Sequence, residues 1–557
     1  MHSSKLLPAA LLAATCLTLP ALALVQDKST TTKTTTETTS TDKSAEKPAE
    51  KAPPTEVTSE GSITAGGQHI AYTAIAGTLT VGATDMEDAQ LGPDGKPQPG
   101  SQLALNEPKE PKDAAPIARM SYFAYFKKDA KAEDRPITFF YNGGPGSSTV
   151  WLHMGSLGPK HVVTDTDQHL PAAPYKLIDN PYTLLDVSDV VFIDMPGTGF
   201  GRLIGKDPEK AFWGIDEDGN AFARFIARFI TKYNRWNSPK FIFGESYGTT
   251  RSAVLVDILE NSHSLDINGV ILLSQIFNFT TDIDAPNANP GVDLPYVLGL
   301  PTYAATAWYH KKLPQQAAAP DMQLAPFLKD VETFATGPYS HALAQGTDIT
   351  AEEKQSVAEK LHEYIGLPVA YLLRANLRVN GGEFEKALQE DEDLTTGRLD
   401  TRFSGPNMNP LSESADYDPQ SSAISSAYVS LFNDYVRKDL KYGDGQTYLP
   451  MALFGSAQWD FKHAGNPVSV NVANDLAEAM KTNPRLRVMV NGGYYDLATP
   501  FFAAEYEEKH LPIPQSLAKN IEYDWYESGH MVYVRDESLK QLHDRVSAFI
   551  KSTLTTK

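Results

Sequence analysis

The sequence predicts an α/β fold, a mostly parallel central sheet flanked by helices, and two patterns predict it. Four short stretches, PITFFYNGG (136–144), VVFIDMPG (190–197), KFIFGES (240–246) and GVILLSQI (269–276), are continuously apolar, and each opens into a Gly-rich or polar turn. Such runs belong to strands covered on both faces. Segments with apolar residues at helical spacing lie around the third run: FWGIDEDGNAFARFIARFITKY before it and TTRSAVLVDILENS after it. The chain therefore alternates strand and helix, the pattern of an open α/β sheet.

Taken in order, residues 1–23 read as a secretory signal: one Lys, an apolar run of small residues and leucines, and Ala21-Leu22-Ala23 before the cleavage point. The single cysteine, Cys16, falls inside it, so the mature chain has no disulfide. Export without disulfides suits a bacterial periplasmic or extracellular enzyme whose size alone supplies a core. Residues 24–56 are almost wholly Thr, Lys, Ser, Glu, Ala and Pro, a composition expected to form a disordered linker.

The first part of the core spans 57–277 and opens with HIAYTAIAGTLTV and ARMSYFAYF, whose alternation predicts antiparallel strands. From 278 to 481 the regular alternation stops. Pro-rich loops, helix-like pieces such as AEEKQSVAEKLHEYI and GEFEKALQE, and the turn-rich GRLDTRFSGPNMNP predict a large, mostly helical insertion over one end of the sheet. The core resumes over 482–557 with LRVMVNGGYYDLATP, NIEYDWYESGHMVY and a closing amphipathic helix.

A formal charge of −20 with no dense Lys/Arg block argues against a nucleic-acid partner. None of the 13 histidines opens a metal-ligand motif, and no phosphate-cradling Gly-rich signature is present, so neither metal nor cofactor is implied. No stretch beyond the signal is apolar for long enough to make a stable membrane span. Nothing in the sequence sets an oligomeric state.

The stretch FIFGESYGTTRS holds Gly244-Glu245-Ser246-Tyr247-Gly248 between a strand and a helix. A serine hydroxyl needs a neighbouring base, and the base needs a third group to orient it. Downstream, Asp496 follows the strand-like RVMVNGGYY, and His530 follows IEYDWYESG. Alone, Asp496 reads as a helix N-cap and His530 as a turn histidine. In the order Ser, acid, His, each after a strand, they read as a hydrolase triad. The loop Asn142-Gly143-Gly144-Pro145-Gly146-Ser147-Ser148 presents backbone directly after another strand, as stabilisation of an oxyanion requires.

NGGPGSS, DMPGTGFG, GESYG, NGGYYD and SGHMVY, in this order, resemble the serine carboxypeptidases, over roughly 137 to the C-terminus. The resemblance implies an α/β-hydrolase fold and release of C-terminal amino acids through an acyl-enzyme, with peptides bearing a free C-terminus as partners. It implies Ser246 as nucleophile, His530 as proton shuttle, Asp496 as its orienting acid, and the N–H groups of Gly144 and Tyr247 as the oxyanion hole. Asn142, Gly143 and Glu245 would recognise the substrate carboxylate, Glu245 while protonated. Esterases and acyltransferases that use the same triad are the alternative.

Two positions depart from the family pattern. Ser147 replaces a cysteine, and Ser156 stands where a second glutamate is expected, which leaves the pH optimum and the C-terminal preference open. His153 nearby reads either as a partner for a carboxylate or as an exposed loop residue. Trp151, Thr198, Phe200, Tyr494 and Tyr495 read equally as pocket wall or core.

Overall fold

The computed structural model describes residues 55–555 apart from 107, 109, 317, 320, 456–457 and 466–469. The signal at 1–23 and all but the end of the linker at 24–56 lie outside the described residues. Ten strands form one sheet. Across it the order runs Glu56–Ala65, Gln68–Gly82, Ile117–Lys127, Asp189–Ile193, Ile137–Tyr141, Lys240–Glu245, Gly269–Leu273, Arg487–Gly493 and Ile521–Tyr526, with the short Arg202–Ile204 paired beside Ile117–Lys127. The first three are antiparallel neighbours, and from Asp189–Ile193 to Ile521–Tyr526 every pairing is parallel.

The four runs read from the sequence are those central strands, and they are buried at every residue. Their side chains divide between two layers with period two. From Ile137–Tyr141, the residues Ile137, Phe139 and Tyr141 enter one core with the helix Ile215–Lys232, and Phe140 enters the other. There the Phe140 ring stacks between Phe192 at 4.9 Å and Phe243 at 4.8 Å. Each such side chain contributes about 1.5–3 kcal/mol through burial.

The strand Glu56–Ala65 is not legible as a strand in the sequence, because most of its residues are polar and only Ile63 and Ala65 are buried. It forms against Gln68–Gly82 through the Gly66-Gly67 turn, where both residues have positive φ, the conformation of a tight hairpin.

Two cores account for most of the long segment 278–481. The helices Leu294–Tyr309, Leu324–Phe334 and Ala351–Ile365 pack together in a third core that also takes in Tyr495, Leu497, Phe501 and Phe502. The helix Pro419–Lys438 instead lays Tyr428 and Phe432 on the face of the sheet, beside Phe123 and Phe192. No described helix is long and apolar enough to cross a membrane.

Candidate active site

Ser246 sits directly after the strand Lys240–Glu245, with φ 60° and ψ −132°, and the helix Tyr247–Asp257 starts at the next residue. A left-handed φ at a non-glycine residue is strained and persists only where the surroundings hold it. Here the Ser246 N–H donates to the Leu273 carbonyl at 3.0 Å, and its own carbonyl accepts from Thr249 N–H at 2.7 Å. A Cβ on Gly244 would lie 2.2 Å from the Gly248 oxygen, so only glycine permits the turn. Ser246 is partly exposed, whereas Glu245 and Tyr247 on either side are buried.

Asp496 and His530 follow the last two strands of the sheet. His530 Nδ1 lies 2.8 Å from Asp496 Oδ2. The Asp496 carboxylate also accepts from Thr499 N–H at 3.0 Å and Thr499 Oγ1 at 2.7 Å, so both its oxygens are fixed. The His530 backbone is held from two sides: its N–H donates to Leu399 O at 2.6 Å, and its carbonyl accepts from Ser274 Oγ at 2.7 Å. Burial pulls the imidazole toward neutrality, but the Asp496 carboxylate outweighs it and leaves His530 above its ordinary value.

The loop after Ile137–Tyr141 approaches this turn closely. A Cβ on Gly143 would lie 2.4 Å from Tyr247 N, so backbone packs directly on backbone. Tyr247 N–H is at the first position of its helix and has no acceptor within it. The Tyr247 side chain turns into the core, edge-on to Trp459 at 5.3 Å, so what it presents outward is main chain. Gly144, next in the loop, has φ 108°.

Asn142 Nδ2 donates to Glu245 Oε1 at 2.8 Å, and Asn142 Oδ1 accepts from Leu152 N–H at 3.1 Å. The Asn142 carbonyl accepts from Arg251 Nη1 at 2.7 Å, and Arg251 is itself paired with Asp218 at 2.6 Å, both fully buried. Glu245 is 3% exposed and its Oε2 has no hydrogen-bond partner among the described residues. Burial pushes its carboxyl up to about 7, against the opposing pull of His530, Tyr533 and Asn142. The hydroxyls of Tyr533 and Tyr428 are buried beside it, near enough to interact with it, yet neither closes a directional hydrogen bond.

Ser156 is buried and gives its hydroxyl to Leu152 O at 2.5 Å, at the end of the helix Val150–Gly155. His153 is neither exposed nor paired with a carboxylate. It stacks on Phe192 at 4.5 Å, bonds Tyr125 through Nε2 at 2.7 Å, and burial lowers it to about 3. Thr198 and Phe200 are core residues, Thr198 bonding Met195 O and Phe200 packing on Tyr442 and Tyr448. Trp151 donates to Ser147 Oγ at 2.9 Å; Tyr495 is buried, and Tyr494 packs on Phe501.

Sequence reasoning missed Thr499, Arg251, Tyr428 and the segment Arg398–Arg402. A signal existed for Thr499, three residues after an Asp at a turn. Arg251 lies in FIFGESYGTTRS, but nothing local marks it as buried. Among the described residues no cluster of three or more His, Cys, Asp and Glu could hold a metal.

The family model described as serine carboxypeptidase matches residues 116–542. The pheromone-processing carboxypeptidase KEX1 of Yarrowia lipolytica is 25% identical over 154 residues, covering 27% of this chain and 23% of that protein. A carboxypeptidase Y homolog of Arthroderma benhamiae is 29% identical over 173 residues, 30% of this chain and 32% of that protein. The matched stretches thus span only about a quarter to a third of these relatives' lengths. The solved structure of Kex1(delta)p, a prohormone-processing carboxypeptidase from Saccharomyces cerevisiae, superposes with a TM-score of 0.50 at 13% identity, covering 86% of this chain and 91% of that one. That likeness speaks for the fold.

Proposed function

The chain belongs to the serine carboxypeptidase family, and from that premise we propose that it is a serine-type carboxypeptidase releasing C-terminal amino acids from peptides. The observation that carries the reading is the Asp496–His530 bond together with a strained, partly exposed Ser246, all three following parallel strands at the same edge of the sheet. In the proposed reaction His530 Nε2 takes the proton of Ser246 Oγ as the oxygen attacks the scissile carbonyl. The N–H groups of Gly144 and Tyr247 receive the oxyanion, and His530 returns the proton to the departing amine. Water, deprotonated by the same imidazole, then releases the acyl group and frees Ser246.

Asn142, Gly143 and Glu245 take the substrate's terminal carboxylate in this reading. Asn142 spends one N–H on Glu245 and its oxygen on Leu152, which leaves the second N–H aimed by both bonds. A neutral Glu245 supplies a further donor. The N-terminal segment supports export to a periplasmic or extracellular space as part of the same proposal.

A second reading, an esterase or acyltransferase on the same triad, is favoured by one observation: the position where the family pattern has a second glutamate holds Ser156, whose hydroxyl is turned to Leu152 O of its own helix. The experiment that separates them is amino-acid release from N-blocked dipeptides with a free or an amidated C-terminus. A carboxypeptidase loses most turnover on amidation, whereas an esterase is indifferent to it.

A further inference from the structure

The segment Arg398–Arg402, far from the triad in sequence, runs between the two loops that carry Asp496 and His530. Leu497 N–H donates to Arg398 O at 3.1 Å and His530 N–H to Leu399 O at 2.6 Å. Gly529 N–H donates to Asp400 Oδ2 at 3.1 Å, and Thr401 N–H donates to Tyr495 O at 2.9 Å. The inner two contacts, at Leu399 and Asp400, therefore hold the histidine loop, and the outer two, at Arg398 and Thr401, hold the acid loop.

Asp400 and Arg402, 1% and 4% exposed, form the rigid part of this strip. Arg402 donates through Nε to Asp400 Oδ1 at 2.9 Å and through Nη2 to Oδ2 at 2.6 Å, a bidentate pair. Arg402 Nη2 also reaches Ser528 Oγ at 3.3 Å, so the pair grips both residues preceding His530. A Cβ on Gly529 would lie 2.4 Å from Asp400 Cβ, which leaves no slack between them. Behind the strip, Thr401 Oγ1 meets Thr306 Oγ1 at 2.5 Å and Thr401 O meets His310 Nε2 at 2.6 Å, tying it to the helix Leu294–Tyr309.

We propose that Asp400 and Arg402 are positioning residues for His530, setting the register of its loop against Asp496 so that the imidazole meets Ser246. The proposal rests on the hydrolytic reading of Ser246. An imidazole must sit within a few tenths of an ångström of its productive place, and a misplacement of about 1 Å costs about 100-fold in rate.

The test is the rate at which a fluorophosphonate labels Ser246 in the full chain, a readout indifferent to the acyl group or leaving group the enzyme prefers. In Asp400→Asn the rate falls about 10- to 100-fold, and the NMR resonance of the imidazole proton shared with Asp496 moves. Asp189→Asn is the control: Asp189 pairs with Arg135 and Arg235 in an equally buried cluster at the start of a strand, remote from the triad. It loses thermal stability and labels at the wild-type rate.

Arg402→Lys keeps the charge pair but not the fork. It labels at an intermediate rate, and it carries the test if Asp400→Asn does not fold. A wild-type labelling rate in folded Asp400→Asn or in Arg402→Lys, or an equal fall in Asp189→Asn, overturns the positioning role. A wild-type chain that fails to label at all overturns the hydrolytic reading beneath it.

Discussion

Asn142 gives one amide N–H to Glu245 Oε1 at 2.8 Å, so the group proposed to read a substrate carboxylate is bonded to an acid that changes charge near neutrality. Below about pH 7 Glu245 is neutral and can donate; above it the carboxylate repels the substrate's own. KM for peptides with a free C-terminus is expected to rise about tenfold between pH 6 and pH 8, following the protonated fraction. In Glu245→Gln the rise disappears. A wild-type KM that stays flat over this range would remove Glu245 from carboxylate recognition.

The proposed base, His530, imposes the opposite limit. His530 must be neutral to take a proton, and Asp496 holds it above its ordinary value, so kcat/KM falls as pH drops through that raised pKa. Free-carboxylate peptides are therefore expected to show a narrow bell and simple esters only the acid limb. Steady-state profiles on both substrates check this, and an alkaline limb of equal size on the ester would contradict it.

Ser246→Ala is expected to lose about 10⁶-fold in kcat and all fluorophosphonate labelling. Its thermal midpoint and circular dichroism should match wild type, because the Ser246 backbone makes the contacts that hold the turn. Retained turnover in pure, titrated enzyme would reject the nucleophile assignment.

Asp496→Asn is expected to cost about 10⁴-fold in kcat with KM little changed, since an amide offers the wrong partner to His530 Nδ1–H. Thr499 bonds both carboxylate oxygens and should hold the substituted side chain in place. Kinetics with active-site titration separate this from loss of folded protein.

Stability should follow a group outside the site. Glu508 is 2% exposed, neither of its oxygens has a hydrogen-bond partner among the described residues, and burial raises it to about 8. Its folded pKa lies above the unfolded one, so the folded state binds more protons. Its contribution is full below about pH 4.5 and is lost as pH rises toward 8. Glu508→Gln is expected to raise the unfolding midpoint at pH 8 and change it little at pH 5, as scanning calorimetry at the two pH values would show. An equal shift at both would mean that ionisation is not the cause.

The central strands were legible because burial on both faces leaves almost only apolar residues, as in Ile137–Tyr141, where Thr138 is the exception, and Gly269–Leu273. The strand Glu56–Ala65 was not, because its identity comes from its hairpin partner rather than from its own side chains. In the site, residues on Gly-rich turns at strand ends could be found, since the turn constrains composition locally. Tyr428 and the Leu399–Arg402 strip act on residues far away in the chain, and no short-range pattern marks a carbonyl that accepts from His530.

The apolar core that Tyr495, Leu497, Phe501 and Phe502 share with the helices Leu294–Tyr309 and Ala351–Ile365 bears on when the proposed triad can assemble. Non-local contacts of this kind form late, after the loop between them has closed. A nascent chain emerging from the ribosome displays Ser246 long before the strip, Asp496 and His530 have been synthesised. Until that last stretch is made and packed, Ser246 has neither of the partners proposed for it.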